Sequence, residues 1–148
     1  MVGWHLYDFY GPIPIPTLED LKNPLDEVIE PHATQEEMTN FIETELTESL
    51  KGLPTRTTQF GRFDKGLAYT ILMKYYMHEK NWAKAEECGR ELLKAEYGYG
   101  LMDRYADIFT LENEGNKEII FACTEERGTN LQLWHDHALP GNYPTKNA

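Results

Sequence analysis

Residues Gly61–Ala95 read GRFDKGLAYTILMKYYMHEKNWAKAEECGRELLKA, and their pattern decides the fold. Apolar side chains recur at Ala68, Ile71, Leu72, Tyr75 and Tyr76, then at Trp82, Ala85, Cys88, Gly89, Leu92 and Leu93. Steps of three and four place each set on one stripe of an α-helix. Between them, His78-Glu79-Lys80 is too short to join anything but antiparallel neighbours. Asp64 and Asn81 stand where an N-cap belongs, because a short polar side chain there accepts from free N–H groups of the first turn. Ala68 and Ala85 allow close approach of the two helices. Tyr76 and Trp82 are expected to fill the space beside them.

This order of aromatic, Leu, aromatic, then Ala one turn into the next helix resembles a tetratricopeptide repeat. With Ala85 on the repeat's key alanine, Tyr69, Leu72 and Tyr76 take its aromatic, leucine and tyrosine positions. Met73 replaces its usual glycine and Gly89 its later aromatic. A pair of this kind keeps apolar surface in reserve for neighbours.

The chain has 148 residues, room for one domain with a modest core. Its net charge is −11, and from Glu19 to Glu48 ten acids face a single lysine, Lys22. Phosphate backbones and anionic lipid both need a basic face, so nucleic-acid and lipid-surface binding are excluded as expectations. Cys88 and Cys123 have no metal-ligand spacing and form no disulfide framework. No apolar run approaches the ~18 residues that span a bilayer. No charged and then apolar start marks a signal peptide.

Residues 1–16 read as the last turns of a helix, carrying Trp4, Leu6, Phe9 and Tyr10, then a stop at Gly11 and a proline-rich connector. Residues 17–33 read as loop. Thr34-Gln35-Glu36-Glu37 is a capping box opening a helix over 34–53, with Met38, Phe41, Ile42, Leu46 and Leu50 inward and Leu53-Pro54 as its stop. The hairpin occupies 61–95, with Gly61 turning the chain into it. Residues 96–148 read as loops, with one helical turn at Tyr105–Phe109 and one strand candidate at Glu118–Cys123. The expected fold is mainly α: a tetratricopeptide-like helical scaffold with irregular loops and one short β element.

Several blocks, in order, resemble the RagB/SusD family of outer-membrane nutrient-binding lipoproteins. They are Tyr10-Gly11-Pro12-Ile13-Pro14; Thr34 to Glu37 with Phe41-Ile42; Leu53-Pro54; Gly61-Arg62; Asn81 to Ala85; Tyr97-Gly98 with Leu101; Tyr105 to Phe109; and Asn116 to Ala122. The resemblance implies a non-catalytic protein at the cell surface, held to the outer membrane by an N-terminal lipid. Such a protein captures an oligosaccharide or related nutrient and works with a SusC-like TonB-dependent porin in polysaccharide utilisation. The lipid-bearing cysteine and signal are not in this sequence, and the family's members are longer. The expectation is therefore a truncated, partial SusD-like domain. The competing class is a generic helical-repeat adaptor for protein partners.

For ligand contact, Trp134, His135, Asp136, Asn142 and Tyr143 are the residues expected from chemistry. A flat aromatic ring covers the C–H face of a sugar, and Asn, His and Asp pair with the rim hydroxyls. His135 and His137 would share a face in a strand, but no third ligand is placed beside them, so no metal and no cofactor are expected. No Ser or Cys sits in a nucleophile motif and no phosphate-binding Gly loop is present, so no catalytic residue is expected. Glu86, Glu87 and Glu91 read as a solvated helix face.

Overall fold

The structure, a computed structural model, describes residues 2–22 and 31–123. Five α-helices lie among them: α1 (Val2–Tyr10), α2 (Leu18–Lys22), α3 (Gln35–Gly52), α4 (Lys65–His78) and α5 (Trp82–Leu92). Three short 3₁₀ turns follow at Ala95–Tyr97, Tyr105–Phe109 and Leu111–Asn113. The fold is mainly helical, as the apolar periodicity predicts.

The helix starts are set by short polar side chains. Thr34 and Glu37 close a reciprocal capping box on α3: the Glu37 N–H donates to Thr34 Oγ1 at 3.2 Å, and the Thr34 N–H to the Glu37 carboxylate at 2.8 Å. Asp64 Oδ1 accepts the Leu67 N–H at 3.0 Å, and Asn81 Oδ1 accepts the Lys84 N–H at 3.3 Å. Each such cap is worth about 1 kcal/mol. The same chemistry forms α2, where the sequence pattern suggests only loop. The Asp20 carboxylate accepts the Thr17 N–H at 2.6 Å, and Thr17 Oγ1 accepts the Asp20 N–H at 3.3 Å.

The α4–α5 hairpin is the centre. Its turn is closed by the Asn81 N–H on the Tyr76 carbonyl at 2.8 Å and the Lys80 N–H on the Met77 carbonyl at 3.1 Å. Lys80 takes φ 57°, the left-handed conformation that most often falls to glycine after a helix. Ala68, Ile71, Leu72, Tyr75 and Tyr76 of α4 are buried, against Ala85, Cys88 and Leu92 of α5. From α3, Met38, Ile42 and Leu46 close the core, and Trp4 and Tyr7 of α1 cover its end. Full burial of such a side chain contributes about 1.5–3 kcal/mol.

Four expectations are corrected. Trp82 does not fill the space beside the alanines; it is 62% exposed. At 100° per residue it stands about a quarter-turn from the Ala85–Cys88–Leu92 stripe, and Leu93 does likewise. Phe41 lies at the edge of the core rather than inside it. Residues 118–123 form no strand among the described residues. The Gly100 N–H reaches the Lys117 carbonyl at 3.1 Å, but the next donor along, the Met102 N–H, goes to the Glu118 carboxylate instead of a backbone carbonyl. With the second rung taken by a side chain, no ladder propagates.

The exit from the hairpin is locked from outside. Tyr97 is buried, and its ring stacks on Tyr99 at 6.1 Å. Arg56 donates to the Tyr97 carbonyl at 2.8 Å and lies over the Tyr99 ring at 4.7 Å. Tyr99 presses on the backbone of α4 at Gly66, where an added Cβ would sit 2.0 Å from its hydroxyl and 2.8 Å from Cζ. Gly66→Ala therefore lowers the urea midpoint, costing about 1–3 kcal/mol even though alanine is the better helix former. Tyr99→Phe is neutral or up to about 1 kcal/mol stabilising, because the Tyr99 hydroxyl is buried with no partner among the described residues. Lys80→Gly raises the midpoint by about 0.5–1 kcal/mol by relieving the left-handed lysine.

Candidate functional site

Where α1, α3 and α4 meet, a groove of about 480 Å³ opens, lined by Trp4, Phe41, Leu46, Phe63, Leu67 and Ile71 among others. The exposed Glu45 also lines it, while its other polar side chains Asp64 and Ser49 are already engaged. The Asp64 carboxylate accepts from the Leu67 N–H at 3.0 Å and the Thr57 N–H at 3.3 Å. Ser49 Oγ donates to the Leu46 carbonyl at 2.7 Å. A sugar seated against the apolar walls would leave most of its hydroxyls without partners, at a cost of about 1–3 kcal/mol each. The groove fits apolar side chains.

A polar cluster pins α1 to the end of α4. The Tyr7 hydroxyl donates to Glu79 Oε1 at 2.6 Å and accepts from Gln35 of α3. His78 Nδ1 lies 3.0 Å from the same Glu79 oxygen, and its Nε2 lies 3.8 Å from Asp8. The imidazole stands edge-on to Trp4, with ring centres 5.5 Å apart. The cluster joins α1, α3 and the end of α4. Among the described residues no group of three His, Cys, Asp or Glu converges as a metal site.

Of the α5 acids, exposed Glu86 pairs with Arg90 at 2.6 Å, half-buried Glu91 pairs with Lys94 at 2.5 Å, and Glu87 is exposed. Lys84 reaches across to Glu43 of α3, and that bond holds the Glu43 carboxyl below the usual carboxylate range.

Trp134, His135, Asp136, Asn142 and Tyr143, with His137, lie outside the described residues. Among the described ones, the surface that best matches their chemistry is at the 3₁₀ turn Tyr105–Phe109. Tyr105 is 77% and Phe109 71% exposed, with ring centres 5.3 Å apart and planes at 72°. Leu101 and Leu111 stand exposed nearby in the chain. Arg104 pairs with Asp107 at 3.9 Å, and Lys117 with Asp103 at 4.0 Å. Flat rings beside charged rims can cover a C–H face and bond hydroxyls. The sequence pattern marks this stretch only as a helical turn; the available signal was Tyr and Phe four apart with charges between.

A SusD-like protein of Bacteroides fragilis, known from its crystal structure, superposes on 85% of this chain with a TM-score of 0.70 and 25% sequence identity. The fold is similar to that of a SusD-like protein. This chain spans about a quarter of the length of that one, covering 25% of it. No protein-family model matches the chain. No curated protein matches it either.

The tyrosine-rich core sets an alkaline limit on this SusD-like fold. Burial, then the neighbouring Glu79, pushes the Tyr7 phenol up to about 12. Burial does the same to Tyr75, to about 12, and raises Tyr76 and Tyr97 as well. An unfolded tyrosine gives up its proton near pH 10. Above that, the unfolded chain loses protons that the folded chain retains, so stability is full below pH ~10 and falls as pH rises toward and through 12. The urea midpoint should drop between pH 9 and pH 11, and Tyr76→Phe should flatten that slope relative to the parent.

Proposed function

We propose that this chain is part of a SusD-like, non-catalytic binding protein. It captures an oligosaccharide or related nutrient at the outer-membrane surface and works with a SusC-like TonB-dependent porin. The observation that carries this reading is the agreement of fold with a SusD-like structure over 85% of the chain at 25% identity. The sequence blocks from Tyr10 to Ala122 point to the same family in the same order. The helices supply a rigid frame, and the ligand is held by the loops. Trp134 and Tyr143 are proposed as stacking residues, with His135, Asp136 and Asn142 on the hydroxyls. The acidic chain, at −11, favours neutral or cationic glycans over sulfated or uronic ones. Among the described residues no helix is long and apolar enough to cross a membrane. Surface attachment through a lipid is part of the same proposal.

The competing reading, a protein-binding adaptor, is favoured by the exposed Trp82 and Leu93 on the hairpin. Affinity electrophoresis through gels cast with neutral polysaccharides separates the two. Glycan capture predicts retardation of the parent chain. It also predicts retention weakened about three- to tenfold by Trp134→Ala or Tyr143→Ala, with unchanged helical circular dichroism. Tyr105→Ala tests the described aromatic pair in the same gel. No retardation on any polysaccharide, together with capture of a protein partner, favours the adaptor.

A further inference from the structure

One stripe of α5 points away from the core. Trp82, Glu86, Gly89 and Leu93 follow at steps of four, three and four, so they lie along one line of the helix. Trp82 is 62% and Leu93 83% exposed. Met73 and Met77 of α4 flank them around a shallow depression. Gly89 is its low point: a Cβ there would meet only the Met73 sulfur, at 3.5 Å. Arg90 stands beside the stripe, paired with Glu86 at 2.6 Å.

We propose that this stripe is a homodimer interface, in which two copies of α5 pack antiparallel about a two-fold axis between Glu86 and Gly89. A four-three-four spacing reads the same from both ends, as an isologous contact requires. Trp82 then opposes the partner subunit's Leu93, and these large apolar groups close both ends of the contact. Glu86 opposes the partner subunit's Gly89, where the missing side chain leaves room for it. Its carboxylate comes beside the partner subunit's Arg90, so the ion pair seen within one chain is shared across the axis. The two methionines are unbranched and adapt to the facing surface. The chain as a whole is strongly acidic, which opposes contact between copies elsewhere on its surface. This patch is locally neutral, with one acid and one base that are complementary to each other under the two-fold.

Sedimentation equilibrium from micromolar to sub-millimolar concentration tests this. The weight-average mass should rise from 17.2 kDa toward twice that value. Leu93→Glu should hold it at the monomer with unchanged circular dichroism. Glu86→Arg alone, and Arg90→Glu alone, should each weaken association about tenfold by setting like charges together. Glu86→Arg combined with Arg90→Glu should restore it to near the parent value. If Leu93→Glu loses helical content, the charge-exchange set decides alone. A mass fixed at the monomer, an assembly larger than two, a dimer that survives Leu93→Glu, or a double exchange as weak as the singles would each overturn the proposal.

Discussion

The buried tyrosines need partners for their hydroxyls, and meeting that need fixes how the helices sit. A tyrosine ring contributes a large apolar area, but its oxygen is costly to strand. Tyr7 of α1 gives its hydroxyl to Glu79 at the end of α4. Tyr75 of α4 donates to the Thr39 carbonyl of α3 at 3.2 Å. Tyr76 has the Lys84 ammonium of α5 5.1 Å from the centre of its ring, and Lys84 in turn pairs with Glu43 of α3. Each bond joins two elements, so sliding one helix past another by a turn would break both packing and pairing. Apolar burial alone tolerates many arrangements; these directed bonds select one.

The sequence made the helices legible where local chemistry decides. Thr34 with Glu37, Asp64 and Asn81 each cap the helix that their position indicates. The α4 stripe is buried at all five positions read from its spacing. Reading failed where tertiary geometry decides. Trp82 and Leu93 have the right residue type and nearly the right period, yet stand a quarter-turn away from their neighbours' face. Residues 118–123 are rich in strand formers, but a side chain takes the second rung of the ladder. Strand propensity needs a partner edge, and no count of β-branched residues supplies one. The short α2 was hidden because Thr17 and Asp20 look like ordinary loop residues until seen bonded to each other.

The candidate site was less legible than the scaffold. Aromatic and polar residues in one segment identify a chemistry, not a place. The groove between α1, α3 and α4 could not be inferred at all, since its walls come from three separate stretches of chain. Its walls are mostly apolar, and Asp64 and Ser49 among its polar residues are already bonded, which separates it from the loops as a place for a hydroxylated ligand. The agreement with a SusD-like structure covers this helical frame and spans about a quarter of that longer chain.

Gly66 and Tyr99 bind the evolution of two distant positions into one. A side chain at residue 66 is costly while a tyrosine occupies 99, because the ring lies where the new carbon must go. A change at 99 to a smaller residue opens a hollow in which a larger residue at 66 becomes favourable. The two sites exchange bulk at far lower cost in one order than in the other, so a history of substitutions here favours one direction.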